Sequence, residues 1–337
     1  MVSLSWTFGY PLLANSFEVF ESGLKNLTLS GITILVSSGD SGASGSYNAT
    51  PTTCLSGINP LVANQQEGEN GVWPAVSPWV TAVGGTQFLA TADNPQAEVV
   101  CSSRTGGGIT SGGGFAGSDF PQDLYSMPSW QKTAVERYLA ENNQSTFAAF
   151  PTADTPGWNP TGRAFPDIAA YGAWFPVIDW SGRLTPTSGT SLSAPMVAAL
   201  FSLANQALKR DGYDFIGYAN PMLYWMGENC TDSFNDVTIG DNQAGENDNG
   251  ELCSFGFPAA PGWDAATGLG SINFGPFVEC AKRYQDEVRN KGLEILPDGS
   301  YRGLPPNGSN PTQPPTSGQL TVSASTVVLA FLSFLAI

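Results

Sequence analysis

Ser191 lies in the run Ser188-Gly189-Thr190-Ser191-Leu192-Ser193-Ala194-Pro195, ahead of a stretch of helix formers, in a chain with no histidine. A serine hydroxyl is a weak nucleophile until a neighbouring base takes its proton. Without histidine, the Ser-His-Asp and Cys-His arrangements and the common histidine-ligated zinc sites are excluded within this chain. Lysine is no substitute, because the nearest one downstream, Lys209, lies about five helical turns away. A carboxylate base is left, and its ordinary pKa of about 4 suits an acidic working range. Gly189 permits a tight approach, and a helix N-terminus offers N–H groups to a developing oxyanion. Gly-Thr-Ser alone also suits a plain helix cap; the longer string SGTSLSAP is more specific.

The elements that must hold this serine follow from hydropathy. Val2 to Trp6 reads as a strand, Phe17, Phe20, Leu24 and Leu27 recur at helical spacing, and Ile32 to Val36 is a second apolar strand. Together they predict a βαβ unit and a parallel sheet, with functional loops at the carboxyl ends of its strands. Glu18 and Glu21 are read as the solvated face of that first helix. Trp79 to Gly85 supplies another strand. The glycine-rich stretch from Gly106 to Gly114 lacks the lysine of a phosphate-binding loop. From Ser191 to about Leu208 a helix is expected, with Met196, Leu200, Leu203, Ala204 and Ala207 on one side.

The 337 residues carry 29 acidic against 13 basic side chains, a formal charge of −16 and a pI near 4.1. Nucleic acid is excluded as a natural partner. Mild acid neutralises such a surface, which fits an acidic compartment, although an acidic surface also serves solubility. Sequons at Asn26, Asn48, Asn143, Asn229 and Asn307 favour secretion. The five cysteines form no CxxC pair and predict disulfides. Cys230 with Cys253 is the preferred bridge and Cys54 with Cys101 the second, leaving Cys280 over. No signal peptide opens the chain, so it is expected to begin partway through a longer precursor.

Residues 304 to 319 read as a linker, and Leu320 to Ile337 are uncharged and mostly apolar. Small residues at Asn307-Gly308-Ser309, a polar spacer and a hydrophobic end fit a glycolipid-anchor signal, with a transmembrane tail as the alternative. The expected division is a main domain at 1–285, a linker at 286–319 and the hydrophobic tail at 320–337.

Several strings then occur in one order: Val2-Ser3-Leu4-Ser5-Trp6, Ser38-Gly39-Asp40-Ser41-Gly42, Trp73-Pro74-Ala75, Val80 to Thr86, Ser111 to Phe115, Pro166 to Ala170, SGTS at 188–191, Asp236-Val237-Thr238 and PGWDAATGLG at 261–270. In these the chain resembles the sedolisin family of serine-carboxyl peptidases. The resemblance implies an α/β, subtilisin-like three-layer fold with a mostly parallel central sheet, and an acid-acting peptidase with tripeptidyl- or endopeptidase action. It implies Ser191 as nucleophile and Asp40 as oxyanion-hole donor, with Ser5, Trp6, Gly189 and Thr190 along the substrate. A protonated Asp40 can donate to an oxyanion, whereas an ionised one repels it. It further implies a Ca²⁺ site at Asp236 and Asp264 with carbonyls of Val237, Ala260 and Gly262, an oxygen set that suits that hard ion. Ala260 stands where glycine is usual, and only its carbonyl is needed. The acidic stretch from Asp241 to Glu251 is read as a solvated loop.

The family's base, a glutamate supported by an aspartate four residues on, lies upstream of the first matched strand. The expectation is that a precursor supplies it together with a prodomain. Expected partners are peptide or protein substrates, and expected locations are secreted, lysosomal or vacuolar, or cell-surface. The competing reading is a calcium-stabilised, noncatalytic surface-binding homologue. A subtilisin-type enzyme is disfavoured by Asp40, where asparagine is usual.

Overall fold

In the computed structural model the described residues are 1–5, 17–44, 73–91, 94–117, 120–155, 158–243, 255–290, 293–295 and 301–303. The chain divides into two compact units, Met1–Arg302 and Gly303–Ile337; the description concerns the first. The expected linker from 304 onward and the hydrophobic tail lie outside the described residues.

Strand β1 (Val2–Leu4), helix α1 (Phe17–Leu29) and strand β2 (Ile34–Ser37) form the expected βαβ start. The turn after α1 is sequence-coded: Gly31 takes φ 86° and donates to Thr28 O, while Ile32 N donates to Leu27 O, the paired bonds of a glycine C-cap. Strand β3 (Thr81–Leu89) is followed by β4 (Ala97–Val100), then β5 (Gly114–Phe115), α2 (Gln122–Tyr125), α3 (Lys132–Glu141), β6 (Ala164–Phe165) and β7 (Ile168–Tyr171). A hairpin of β8 (Phe175–Ile178) and β9 (Leu184–Thr187) leads into α4 (Thr190–Arg210). Helix α5 (Ala219–Asn229), strands β10 (Phe234–Asn235) and β11 (Ser271–Ile272) and helix α6 (Phe274–Asn290) complete the part that frames the site.

The main sheet runs β1-β2-β3-β7-β11-β10, with β4 also paired to β3. Its successive pairs from β1 to β11 are parallel; β10 and β4 are antiparallel additions. Ile34 to Ser37 and Thr81 to Gln87 are buried, as strands covered on both faces must be. One core lies beneath α4, α5 and α6, and a second gathers Phe17, Ile34, Val36, Trp73 and Ala82 around α1. This is the α/β fold, with a mostly parallel sheet, that the sequence predicts.

The buried side of α4 is set around from the one expected. Ala194, Val197, Phe201, Ala204 and Leu208 are buried, while Leu203 is exposed. The helix packs on β2, β3 and β7 and also against α6, where Phe201 stacks on Phe277. Alanines 194 and 204 let the backbone approach the sheet, and the bulkier Leu203 faces out.

Two further expectations are corrected. Glu21 is buried instead of solvated: its carboxylate accepts bonds from Trp73 Nε1 (2.9 Å), Ser77 Oγ (2.8 Å) and the Tyr125 hydroxyl (2.8 Å). Burial raises its pKa, with the three donors pulling the other way. Glu18 is exposed, as expected. The cysteine pairing also differs: Cys230 bonds Cys280, because the end of α5 packs on the buried face of α6. Cys101 is a buried free thiol, so it is not bridged to Cys54; Cys54 and Cys253 lie outside the described residues.

Candidate active site

The site draws on the loop that leaves parallel strand β2 and on the segment that follows the β8–β9 hairpin. After β2 the chain runs through Ser38 and Gly39 to Asp40, and after β9 through Ser188 and Gly189 to Thr190, the first residue of α4. Thr190 joins the two loops: its N–H and its hydroxyl both donate to Asp40 Oδ1, at 2.7 and 2.8 Å, and its Oγ1 accepts from Gly39 N at 3.2 Å. Asp40 Oδ2 faces Gly189, where an added Cβ would sit 3.2 Å from that oxygen. Any side chain at 189 would crowd the carboxyl.

The glycine-rich stretch buttresses this loop. Gly112 N donates to Gly39 O (2.7 Å) and Thr110 N to Asp40 O (2.9 Å), and a Cβ at Gly112 would fall 2.3 Å from Ser38 O. Only glycine permits that approach. Burial raises the Asp40 pKa, opposed by the two bonds from Thr190. Cys101 lies near enough for Asp40 to help raise its thiol, which burial already pushes up, to about 12.

Ser191 follows in the first turn of α4, partly exposed. Its hydroxyl donates to Ser5 O (2.9 Å), and Ser5 Oγ returns a bond to Ser191 O (3.2 Å). Pro195 explains why that carbonyl is available. It stands four residues on, where a residue with an N–H would bond Ser191 O inside the helix, and proline has none. A main-chain carbonyl is no base, so this bond orients the hydroxyl without activating it. Ser5, Asp40, Gly189, Thr190 and Ser191 are thus brought together; Trp6 lies outside the described residues.

The expected metal ligands gather elsewhere. Gly262 N donates to Asp236 Oδ2 (2.8 Å), and Ala260 N to Asp264 Oδ2 (3.2 Å), so one short loop touches both carboxylates. Asp264 is buried, with Oδ1 bonded by the N–H groups of Ala266 and Thr267. Burial pushes its pKa up to about 7. Among the described residues no basic side chain pairs with it, and no donor reaches the carbonyls of Val237, Ala260 or Gly262. Nor do the described residues hold a cluster of three or more His, Cys, Asp or Glu, so a cation here would depend on main-chain oxygen.

A third feature had no functional reading in the sequence. Arg163 and Asp167 form a fully buried ion pair at 2.7 Å. Asp167 also accepts from Ala82 N (2.8 Å) and the Tyr224 hydroxyl (3.0 Å), and Arg163 lies over the Trp130 ring. The pair fastens the start of β7 to β3 behind the site.

Comparison with known proteins agrees with this architecture. The model of the subtilase family matches residues 2–219. The tripeptidyl-peptidase sed1 of Aspergillus fumigatus is 34% identical over 257 residues, covering 74% of this chain and 35% of the relative. Physarolisin of Physarum polycephalum is 32% identical over 262 residues, covering 72% and 40%. Pseudomonas sedolisin, a serine-carboxyl proteinase, superposes with a TM-score of 0.53 at 23% identity, over 86% of this chain and 66% of that one. The chain belongs to the subtilase family, among its sedolisin-like members. It spans 35% and 40% of the length of those two curated relatives.

Proposed function

We propose that this polypeptide is the nucleophile-bearing part of an acid-acting serine peptidase. The observation that carries the reading is the junction of Ser191 and Asp40 through Thr190, at the N-terminus of α4. Ser191 attacks the scissile carbonyl. Asp40 keeps Oδ1 occupied by Thr190, which leaves Oδ2 to carry a proton toward the oxyanion. The raised pKa of Asp40 keeps that proton in place under acidic conditions. Gly189 and Thr190 set the position of both groups, and Ser5, with Trp6, lines the path of the substrate backbone. The base is an upstream Glu/Asp pair of the precursor, which also carries a prodomain; peptides or proteins are the substrates.

Calcium belongs to the same proposal. Asp236 and Asp264, with the carbonyls of Val237, Ala260 and Gly262, would hold it. Bound there, the ion would neutralise a buried carboxylate and fix the 260–264 loop. The asparagines of the sequons at Asn26, Asn143 and Asn229 are exposed, and with the Cys230–Cys280 disulfide they support a secreted, lysosomal or cell-surface glycoprotein. The domain division at 285 and 319, and anchoring by the tail, belong to this proposal too.

The bond from Ser191 Oγ to a carbonyl favours a second reading, a noncatalytic homologue that kept the serine without its base. Expression of the full precursor with and without Ser191→Ala, assayed on peptides from strongly acid to neutral pH, separates the two. Activity that peaks in acid and vanishes in the variant supports the peptidase; equal activity in both ends the nucleophile assignment.

A further inference from the structure

The run SGTSLSAP carries serines at 188, 191 and 193, and only the middle one has a part in the proposed reaction. The turn that joins them is weakly held by its own backbone. Gly189, the N-cap of α4, has no side chain with which to cap the helix, and glycine restrains the chain least of all residues. Pro195, inside the helix, removes the bond that would reach Ser191 O from the next turn. The place of the turn must be fixed from outside it.

The end of β7 supplies that hold. Ser193 is fully buried, and its hydroxyl donates to Ala170 O (2.9 Å), with Tyr171 O also in reach at 3.3 Å. A serine inside a helix commonly bonds back to a carbonyl of its own helix; this one reaches across to the sheet. Gly189 N donates to Gly172 O (2.8 Å), and Ser188 Oγ accepts from Trp174 N (2.8 Å). Residues 170, 172 and 174 thus meet 193, 189 and 188 in order. The strip is itself anchored, since Ala170 pairs with Gly85 of β3 and Gly172 N donates to Thr86 O (2.9 Å).

The fit is close. A Cβ on Gly172 would lie 2.7 Å from Ser193 Oγ and 3.2 Å from Gly189 O, so a side chain there would push the turn away. Trp174 takes φ 49°, and among the described residues it is the one non-glycine with positive φ. A bulky residue keeps that conformation only where its surroundings impose it. Here its main-chain N–H is aimed at Ser188, and its indole N–H donates to Gly106 O.

We propose that Ser188 and Ser193 are positioning residues, which pin the Ser191 turn to the end of β7 on both sides of the nucleophile; the inference rests on the peptidase reading above. Thr190 ties the same turn to Asp40 from another direction, so the setting of Ser191 against the oxyanion donor depends on these anchors together. Both serines act through Ser191.

The test uses the full precursor, with peptide hydrolysis and hydrogen exchange by mass spectrometry measured on the same samples. Ser193→Ala and Ser188→Ala should each lower kcat at least about tenfold and leave KM within about twofold, since displacing an attacking group by about 1 Å can cost about a hundredfold. The amides of 188–192 should exchange faster in both. Ser188→Thr keeps an acceptor for Trp174 N and should recover kcat, and Ser202→Ala, at an exposed position on the same helix, should change nothing. If Ser193→Ala fails to fold, the two variants at the partly exposed Ser188 still decide. Unchanged kcat in the alanine variants, no recovery in Ser188→Thr, or a loss of kcat with exchange unmoved overturns the proposal. A wild-type precursor that does not hydrolyse peptides, with faster exchange in the variants, overturns the peptidase reading and leaves the clamp standing. Unmoved exchange overturns the clamp whether or not the protein hydrolyses.

Discussion

Replacing Asp40 by asparagine separates the two jobs assigned to its carboxyl. Oδ1 accepts both Thr190 bonds, at 2.7 and 2.8 Å, and an asparagine Oδ1 can keep them. Its amide nitrogen then occupies the place of Oδ2 beside Gly189 and donates at every pH. In the wild type the donor exists only while Asp40 holds its proton, so it is present below the raised pKa and lost as pH rises through it. The kcat/KM profile of the precursor should therefore fall on its alkaline side, and Asp40→Asn should move or flatten that limb while leaving the acid limb to the base. Asp40→Ala removes the donor altogether. Loss of one oxyanion donor costs about 2.7–4 kcal/mol of barrier, a fall of about 10²–10³ in kcat. It also strands the Thr190 N–H, at about 1–3 kcal/mol of stability if that group stays buried, visible in urea unfolding. An identical alkaline limb in wild type and Asp40→Asn, or a loss of less than about fivefold in Asp40→Ala, would refute the oxyanion role.

Arg163→Met should destabilise the fold by about 3–5 kcal/mol, read from the urea midpoint, because it leaves Asp167 charged and buried with neutral partners only. Chelation of calcium should lower the melting temperature of the wild type and leave Asp264→Asn unmoved, if the Asp236–Asp264 oxygens hold the ion. Glu21→Gln tests the buried carboxylate on α1. Its folded pKa is raised, so it supports folding most fully below the unfolded value of about 4.5 and loses that contribution as pH rises through the folded one. Stability should fall with rising pH across that window in the wild type and less steeply in the variant.

The sheet and its opening βαβ unit were legible because each element carries its own period and its own stop, as Gly31 does for α1. The turn into α4 was legible because its parts are local: Gly189, Thr190, Ser191 and Pro195 lie within seven residues. What sequence reading missed is contributed from afar. Glu21 looks like a solvated helix residue until Trp73, Ser77 and Tyr125, 52, 56 and 104 residues away, close over it. The Cys230–Cys280 pair depends on how α5 meets α6, and spacing alone says nothing about that. The buried side of α4 was misjudged because two partners, the sheet and α6, share its surface. The ion pair of Arg163 and Asp167 had a clue in the Pro166-Asp167 string, but nothing in the string says that the aspartate is buried.

Thr190 makes the Ser191 loop and the Asp40 loop a single mechanical part, although 150 residues separate Thr190 from Asp40. Neither loop can drift without straining the other, so the site has no cheap partially disordered form. Serine at 190 would keep the coupling and valine would sever its side-chain half, leaving only the main-chain bond. This one contact thus holds Ser191 and the Asp40 carboxyl in register whatever the surrounding surface loops do.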